Sequence, residues 1–246
     1  MGITSESGHA KNVSNLDEII SACTSYGATY NPSKATIKLA GLQASATSAK
    51  AAMAAVNTSL ATLSNATAAR QVAFEPLNKL ITRVINALKA TDSSDQIDDS
   101  AKSIARKIQG ARASVKLTDE EKKTLTAEGK ESKQISSSQM SFDMRLDNLD
   151  KLIKLLASIP AYAPNEVDLK VATLTALYAD LKAKNQACVT AHTQLSSARI
   201  VRNDVLYKAN TGVVDSALDV KTYVKSVYGT SAPQYKQISK LEFRPL

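Results

Sequence analysis

Tryptophan is absent, and the 246 residues hold only 2 His, 2 Cys, 3 Phe and 8 Gly. So few imidazoles and thiols leave little material for a metal site or a nucleophile–base pair. Aromatic residues make up 4% of the chain, which argues against an all-β protein, where aromatic and β-branched residues dominate. It also argues against base-stacking recognition of nucleic acid. No phosphate-binding glycine loop, nucleophile elbow or zinc-protease motif occurs. The chain therefore reads as a non-enzyme that needs no cofactor. Its first ten residues lack the basic start and apolar core of a secretory signal. Glu6 stands where a myristoylation motif needs Ser or Thr. The longest uncharged run, Ala51 to Ala69, has the length of a membrane span. Asn57, Thr58, Ser59, Thr62, Ser64, Asn65 and Thr67 make it too polar to insert. The expectation is a cytoplasmic protein with no membrane contact.

Alanine, serine and threonine are abundant, with 43% of residues hydrophobic and 22% charged. Small side chains in such proportion favour long helices lying close together. The chain also repeats itself. Laying Pro32 on Pro164 without a gap gives 13 identities over the 39 positions to Arg70 and Arg202. Upstream, the stretch from Asn15 to Ile20 resembles that from Asn148 to Ile153. Downstream, Ala101–Gly110 resembles Val220–Gly229, and Lys133–Ser136 recurs as Lys236–Ser239. The order of matched blocks is the same in both halves, the signature of an internal duplication.

Each copy reads as a short helix, a long helix of about 40 residues and a third helix. Ser14 with Asp17 suggests a cap for the first helix. Ser33 and Asn165, each following a proline, suggest N-caps for the long helices. Pro76 ends or kinks the first long helix, and Asn210-Thr211-Gly212 marks a weaker break in the second. Gly110 and Gly229 are C-cap candidates. Apolar residues alternate steps of three and four from Ala35 through Leu42, Ala49, Val56 and Leu60 to Leu63. The matching register runs from Val167 through Leu174, Leu181, Cys188 and His192 to Leu195. Two such seams predict nearly antiparallel packing. The fold expected is all-α: an elongated helical bundle built from a duplicated three-helix unit. Residues 1–13 would be a mobile tail, 14–137 the first repeat with a charged excursion at 116–131, and 138–246 the second. The two repeats would pack as one domain.

The repeat also weighs the candidate sites. Cys188 replaces Val56 and Cys23 falls near Leu156, so both thiols read as apolar filler. His192 replaces Leu60 and reads as a packing residue; His9 falls in the expected tail. Arg70 and Arg202 recur near the C-terminal ends of the long helices, as an anion-binding pair or as structural ion-pair partners. Lys102, Arg106, Lys107, Arg112, Lys221 and Lys225 make the third helices basic, within a formal charge of +8. They are the candidates for nucleic acid or another polyanion. Between Leu39 and Ala69 only Lys50 is charged, whereas a surface helix normally carries charge on its outer face. The candidate self-association face is Ala51, Ala54, Ala55, Thr58, Ser59 and Thr62. The leading expectation is a scaffold or self-associating protein, working as a homo-oligomer or with a protein partner. The alternative is a basic module that binds a polyanion.

Overall fold

A computed structural model describes residues 6–110 and 141–246. The chain is all-α, with no strand among the described residues. The helices are α1 (Glu6–Ser25), α2 (Leu39–Phe74), α3 (Leu77–Lys89) and α4 (Asp95–Gln109), followed by α5 (Phe142–Ala157), α6 (Val171–Tyr207), α7 (Val213–Tyr228) and α8 (Pro233–Ser239). Single 3-10 turns at Ala35–Ile37 and Val167–Leu169 precede the two long helices, which have 36 and 37 residues. The expected excursion at 116–131 and the block Lys133–Ser136 lie outside the described residues.

Helix ends follow the backbone chemistry with three corrections. The long helices start at Leu39 and Val171, not beside Ser33 and Asn165. Lys34 and Lys38 are extended on either side of the first 3-10 turn, and Glu166 and Lys170 flank the second in the same way. Tyr30 and Tyr162 hold these turns by donating their hydroxyls to the carbonyls of Ile37 and Leu169. α1 starts at Glu6, so residues 6–13 are helix rather than tail and Ser14 is interior. The buried face there is partly polar: His9, Asn12 and Asn15 are buried beside Val13 and Leu16, which hides the helix from an apolar-pattern reading. α3 is a separate helix, although Leu77, Ile81, Val84, Ile85 and Leu88 have helical spacing and are buried. Pro76 separates it from α2. Gly110 takes the left-handed conformation that ends α4. Gly212 lies so close to the preceding chain that a Cβ there would stand 2.6 Å from the Lys208 nitrogen.

The chain forms two compact units, one from residues 1–64 and 191–246 and the other from 65–190. Each draws on residues from both halves of the sequence. In the first unit, Leu16, Ile19 and Cys23 of α1 and Leu42, Ala46 and Ala49 of α2 pack with Leu206, Val213, Val220, Val224 and Ile238. Here α7 packs on α1, on α8 and on the 3-10 turn at 35–37. In the second unit, Phe74, Leu77, Ile81, Leu88 and Ile108 pack with Leu149, Leu152, Leu156, Leu174 and Leu181. There α4 packs on α3 and α5, and α3 packs on the turn at 167–169. Burial of each large apolar side chain contributes about 1.5–3 kcal/mol.

The predicted seams are buried along much of their length but not throughout. Leu42, Ala46, Ala49 and Val56 are buried on α2, as are Leu174, Leu181, Cys188 and Leu195 on α6. Leu60 is 45% exposed, and His192, expected as a packing residue, is also exposed. Neither joins the apolar cluster of its unit, where Ala49 and Leu206 mark the nearest members on these two helices.

Candidate functional site

The second unit brings together an aromatic pair and two arginines at the break between α2 and α3. Phe74 closes α2 and Phe142 opens α5, and their rings meet edge to face with centroids 4.8 Å apart. The Arg70 guanidinium lies 4.0 Å above the Phe142 ring, and that of Arg145 lies 5.3 Å from the Phe74 ring. A cation over a ring face gains from the ring quadrupole, more so when water is excluded. Arg145 is 9% exposed. Its Nε donates to the Ile108 carbonyl at 3.1 Å and its Nη2 to Asn78 Oδ1 at 2.9 Å. Burial pushes its pKa below the ordinary arginine value. Arg70 donates from Nη1 to Asn185 Oδ1 at 2.9 Å, and Asn185 in turn donates to Asp143 at 2.7 Å. The Arg70 Nε is buried without a hydrogen-bond partner.

Beside this cluster is an open cleft of about 570 Å³, lined by Gln71, Val72, Phe74, Glu75, Asn78, Phe142 and Arg145. Sequence reading found Arg70 but missed the rest. The missed signal was the position of Arg145. It lies four residues before Leu149 and seven before Leu152, on the stripe that α5 buries. A charge on an apolar stripe marks a residue that must find unusual partners.

Arg202 is buried near the C-terminal end of α6 and bonds the Asn203 side chain, with Nη2 to Oδ1 at 2.8 Å. Its surroundings belong to the first unit and differ from those of Arg70.

The basic candidates are divided between the units. On α4, Lys102 and Arg106 are half-buried and Lys107 is exposed; Arg112 lies outside the described residues. On α7, Lys225 is exposed, but Lys221 serves the fold. Its Nζ donates to the carbonyls of Leu241 and Ser239 and lies 5.5 Å from the Phe243 ring. Partial burial pushes the Lys221 pKa below its usual value.

In the first unit, Ala51, Ala54, Ala55, Thr58 and Thr62 are exposed and Ser59 is half-buried. Lys50, the one charge of that run, is 2.8 Å from Asp17 of α1. On α6 of the same unit, Ile200 is 68% exposed and Val201 56%. His9 is not in a tail but buried, with Nδ1 2.6 Å from the Tyr207 hydroxyl. Both thiols are free and buried. Cys188 Sγ lies 3.5 Å from Thr67 Oγ1, and burial pushes the Cys23 pKa up to about 11.

Among the described residues, no group of three or more His, Cys, Asp or Glu is placed to hold a metal ion. No described helix is long and apolar enough to cross a membrane. No family model, curated protein or solved structure matches the chain.

Proposed function

We propose that this protein is a non-catalytic helical scaffold that self-associates through the uncharged face of α2. The observation that carries the reading is the exposure of Ala51, Ala54, Ala55, Thr58 and Thr62 on a helix whose nearest charge, Lys50, is paired with Asp17. Leu60 is exposed on the same helix, and Ile200 and Val201 are exposed on α6. Small side chains let a second helix approach closely, and nearby apolar residues add area that gains from leaving water. The partner proposed is a second copy of the chain.

Light scattering after size exclusion, at two protein concentrations and at low and high salt, tests this. The expected result is an oligomer that persists in high salt, because an apolar contact is not screened. Ala54→Glu with Ser59→Lys should give a monomer of unchanged helicity by circular dichroism. A monomer of the wild-type chain under every condition overturns the reading. The polyanion reading ranks second: exposed Lys107 and Lys225 favour it, while Lys221 is taken up by backbone carbonyls. Nucleic-acid affinity that falls steeply with salt would move it to first place.

We also infer that the chain arose by duplication. The alignment that lays Pro32 on Pro164 lays Tyr30 on Tyr162 and Ile37 on Leu169, the partners in the two tyrosine–carbonyl bonds. Continued past Arg70, it lays buried Ile81, Val84, Ile85 and Leu88 on buried Val213, Ser216, Ala217 and Val220. On this reading α3 corresponds to α7, each packed on the 3-10 turn of the other half, and α4 corresponds to the shorter α8, which replaces the match of Ala101–Gly110 with Val220–Gly229.

A further inference from the structure

We infer that the cleft at the α2–α3 break binds a monocarboxylate with an apolar body. Taking a guanidinium out of water is costly unless an anion or a full set of hydrogen bonds replaces the lost hydration. Arg145 lines this cleft while nine-tenths buried, and its bonded partners are neutral: the Ile108 carbonyl and the Asn78 amide oxygen. These bonds use two of the five guanidinium donors. Arg70, on the other phenylalanine, has Asn185 as its bonded partner and a buried Nε with no acceptor. Among the described residues, neither guanidinium has a carboxylate within ion-pair distance; Asp143 reaches Arg70 only through Asn185. Two cations are thus held in an aromatic cluster without a direct counter-charge, one of them facing an open cleft.

The other walls define the ligand. Val72, Phe74 and Phe142 are apolar, Gln71 and Asn78 offer amide groups, and Glu75 adds a negative charge. Inorganic phosphate has no apolar body to cover Val72, Phe74 and Phe142. A single carboxylate, by contrast, matches the planar fork of a guanidinium. The first residue of α5, Phe142, and the second of α3, Asn78, also line the cleft. Gln71, Val72 and Phe74 form the last turn of α2, so the negative end of one helix and the positive ends of two border the cleft and their dipoles oppose one another. Apolar walls and a volume of about 570 Å³ suit a ring or branched chain behind the carboxylate. A free small acid and the C-terminus of a peptide ending in an apolar residue share this chemistry.

Calorimetric titration of the full chain with 3-phenylpropionate and with its neutral amide tests the site, alongside N-acetyl-Gly-Gly-Phe and the C-terminal amide of that peptide. Saturable binding of the acid is expected, with its amide at least about tenfold weaker, the loss of one charge-assisted bond. Arg145→Lys should weaken the acid by about tenfold, because an ammonium cannot offer the fork. Glu75→Gln, at an exposed position that the fold does not use, should tighten it by about threefold and leave the amide unchanged. Tighter binding of the peptide than of 3-phenylpropionate would assign a chain terminus, and the reverse a free acid; either supports the site. Equal binding of acid and amide, no effect of Glu75→Gln, or no saturable binding of either acid overturns it. Inorganic phosphate that binds as well as 3-phenylpropionate also overturns it.

Discussion

Tyr162 donates its hydroxyl to the carbonyl oxygen of Leu169 at 2.9 Å, across the turn that leads into α6. Both residues are buried, and burial pushes the phenol pKa up to about 12. Tyr162→Phe would leave a buried carbonyl without its donor, a loss of about 1–3 kcal/mol. Tyr30→Phe should cost a similar amount, since Tyr30 and Ile37 make the same bond inside the first unit. Urea unfolding of the two variants, read against the unsubstituted chain, checks this. A change below about 0.5 kcal/mol for both would show that water replaces the bond.

Because each core contains residues from both halves of the sequence, breaking the chain between the halves should not separate them. A protease site inserted between residues 120 and 121 and then cut should give two fragments that co-elute under native conditions. They should unfold together, because Leu149 and Leu156 pack with Ile81 and Ile108 while Ile19 packs with Val220. Native gel filtration that resolves the fragments would contradict this arrangement of the cores.

Cys23 sets a stability dependence at alkaline pH. Its pKa is about 11 in the fold against 9.0 for a free thiol, with burial the largest cause. The folded state therefore keeps its proton where the unfolded chain has lost it, so stability falls as pH rises from about 9 to 11. The loss should approach about 2–3 kcal/mol. It should be smaller by that amount in Cys23→Ala, which has no thiol to ionise. Chemical unfolding of both proteins at pH 8 and pH 11 gives the comparison; equal slopes would exclude the thiol as the cause.

Two glycines should respond in opposite directions. At Gly212 an added methyl would stand 2.6 Å from the Lys208 nitrogen and 2.9 Å from the Leu206 carbonyl. Gly212→Ala should therefore destabilise by about 1–3 kcal/mol. Gly8 is inside α1, and nothing lies within 4 Å of the site of a Cβ. Gly8→Ala should stabilise by about 0.5–1 kcal/mol. Thermal melts of the two variants check the pair of signs.

The helical class was legible because small and apolar residues recur at steps of three and four, as at Leu42, Ala46 and Ala49. The breaks at Pro76 and Gly212 were legible because both residues act locally. α3 has helical spacing at Leu77, Ile81, Val84, Ile85 and Leu88, but the resemblance of Ala101–Gly110 to Val220–Gly229 places the expected third helix later in the chain. The early start of α1 was hidden for another reason. His9, Asn12 and Asn15 occupy its buried face, bonded to Tyr207, to the Arg244 carbonyl and to the Glu242 carbonyl. Those partners are some two hundred residues away, beyond any local pattern. The candidate cleft shows the same limit. Arg70 and Arg145 could be noticed singly, but nothing local says that Phe74 and Phe142 meet and hold both.

By itself the sequence determined the helical class, the breaks at Pro76 and Gly212, and much of the apolar stripe on each long helix. Backbone propensity, proline and glycine breaks and side-chain periodicity all act within a few residues. Only the tertiary structure decided which stripe each one is buried against. An apolar stripe can be buried against one in its own half of the chain or against one in the other half. Here the choice fell across the halves, with α5 on α4 and α1 on α7. That choice depends on the summed packing of whole cores, which no local stretch encodes.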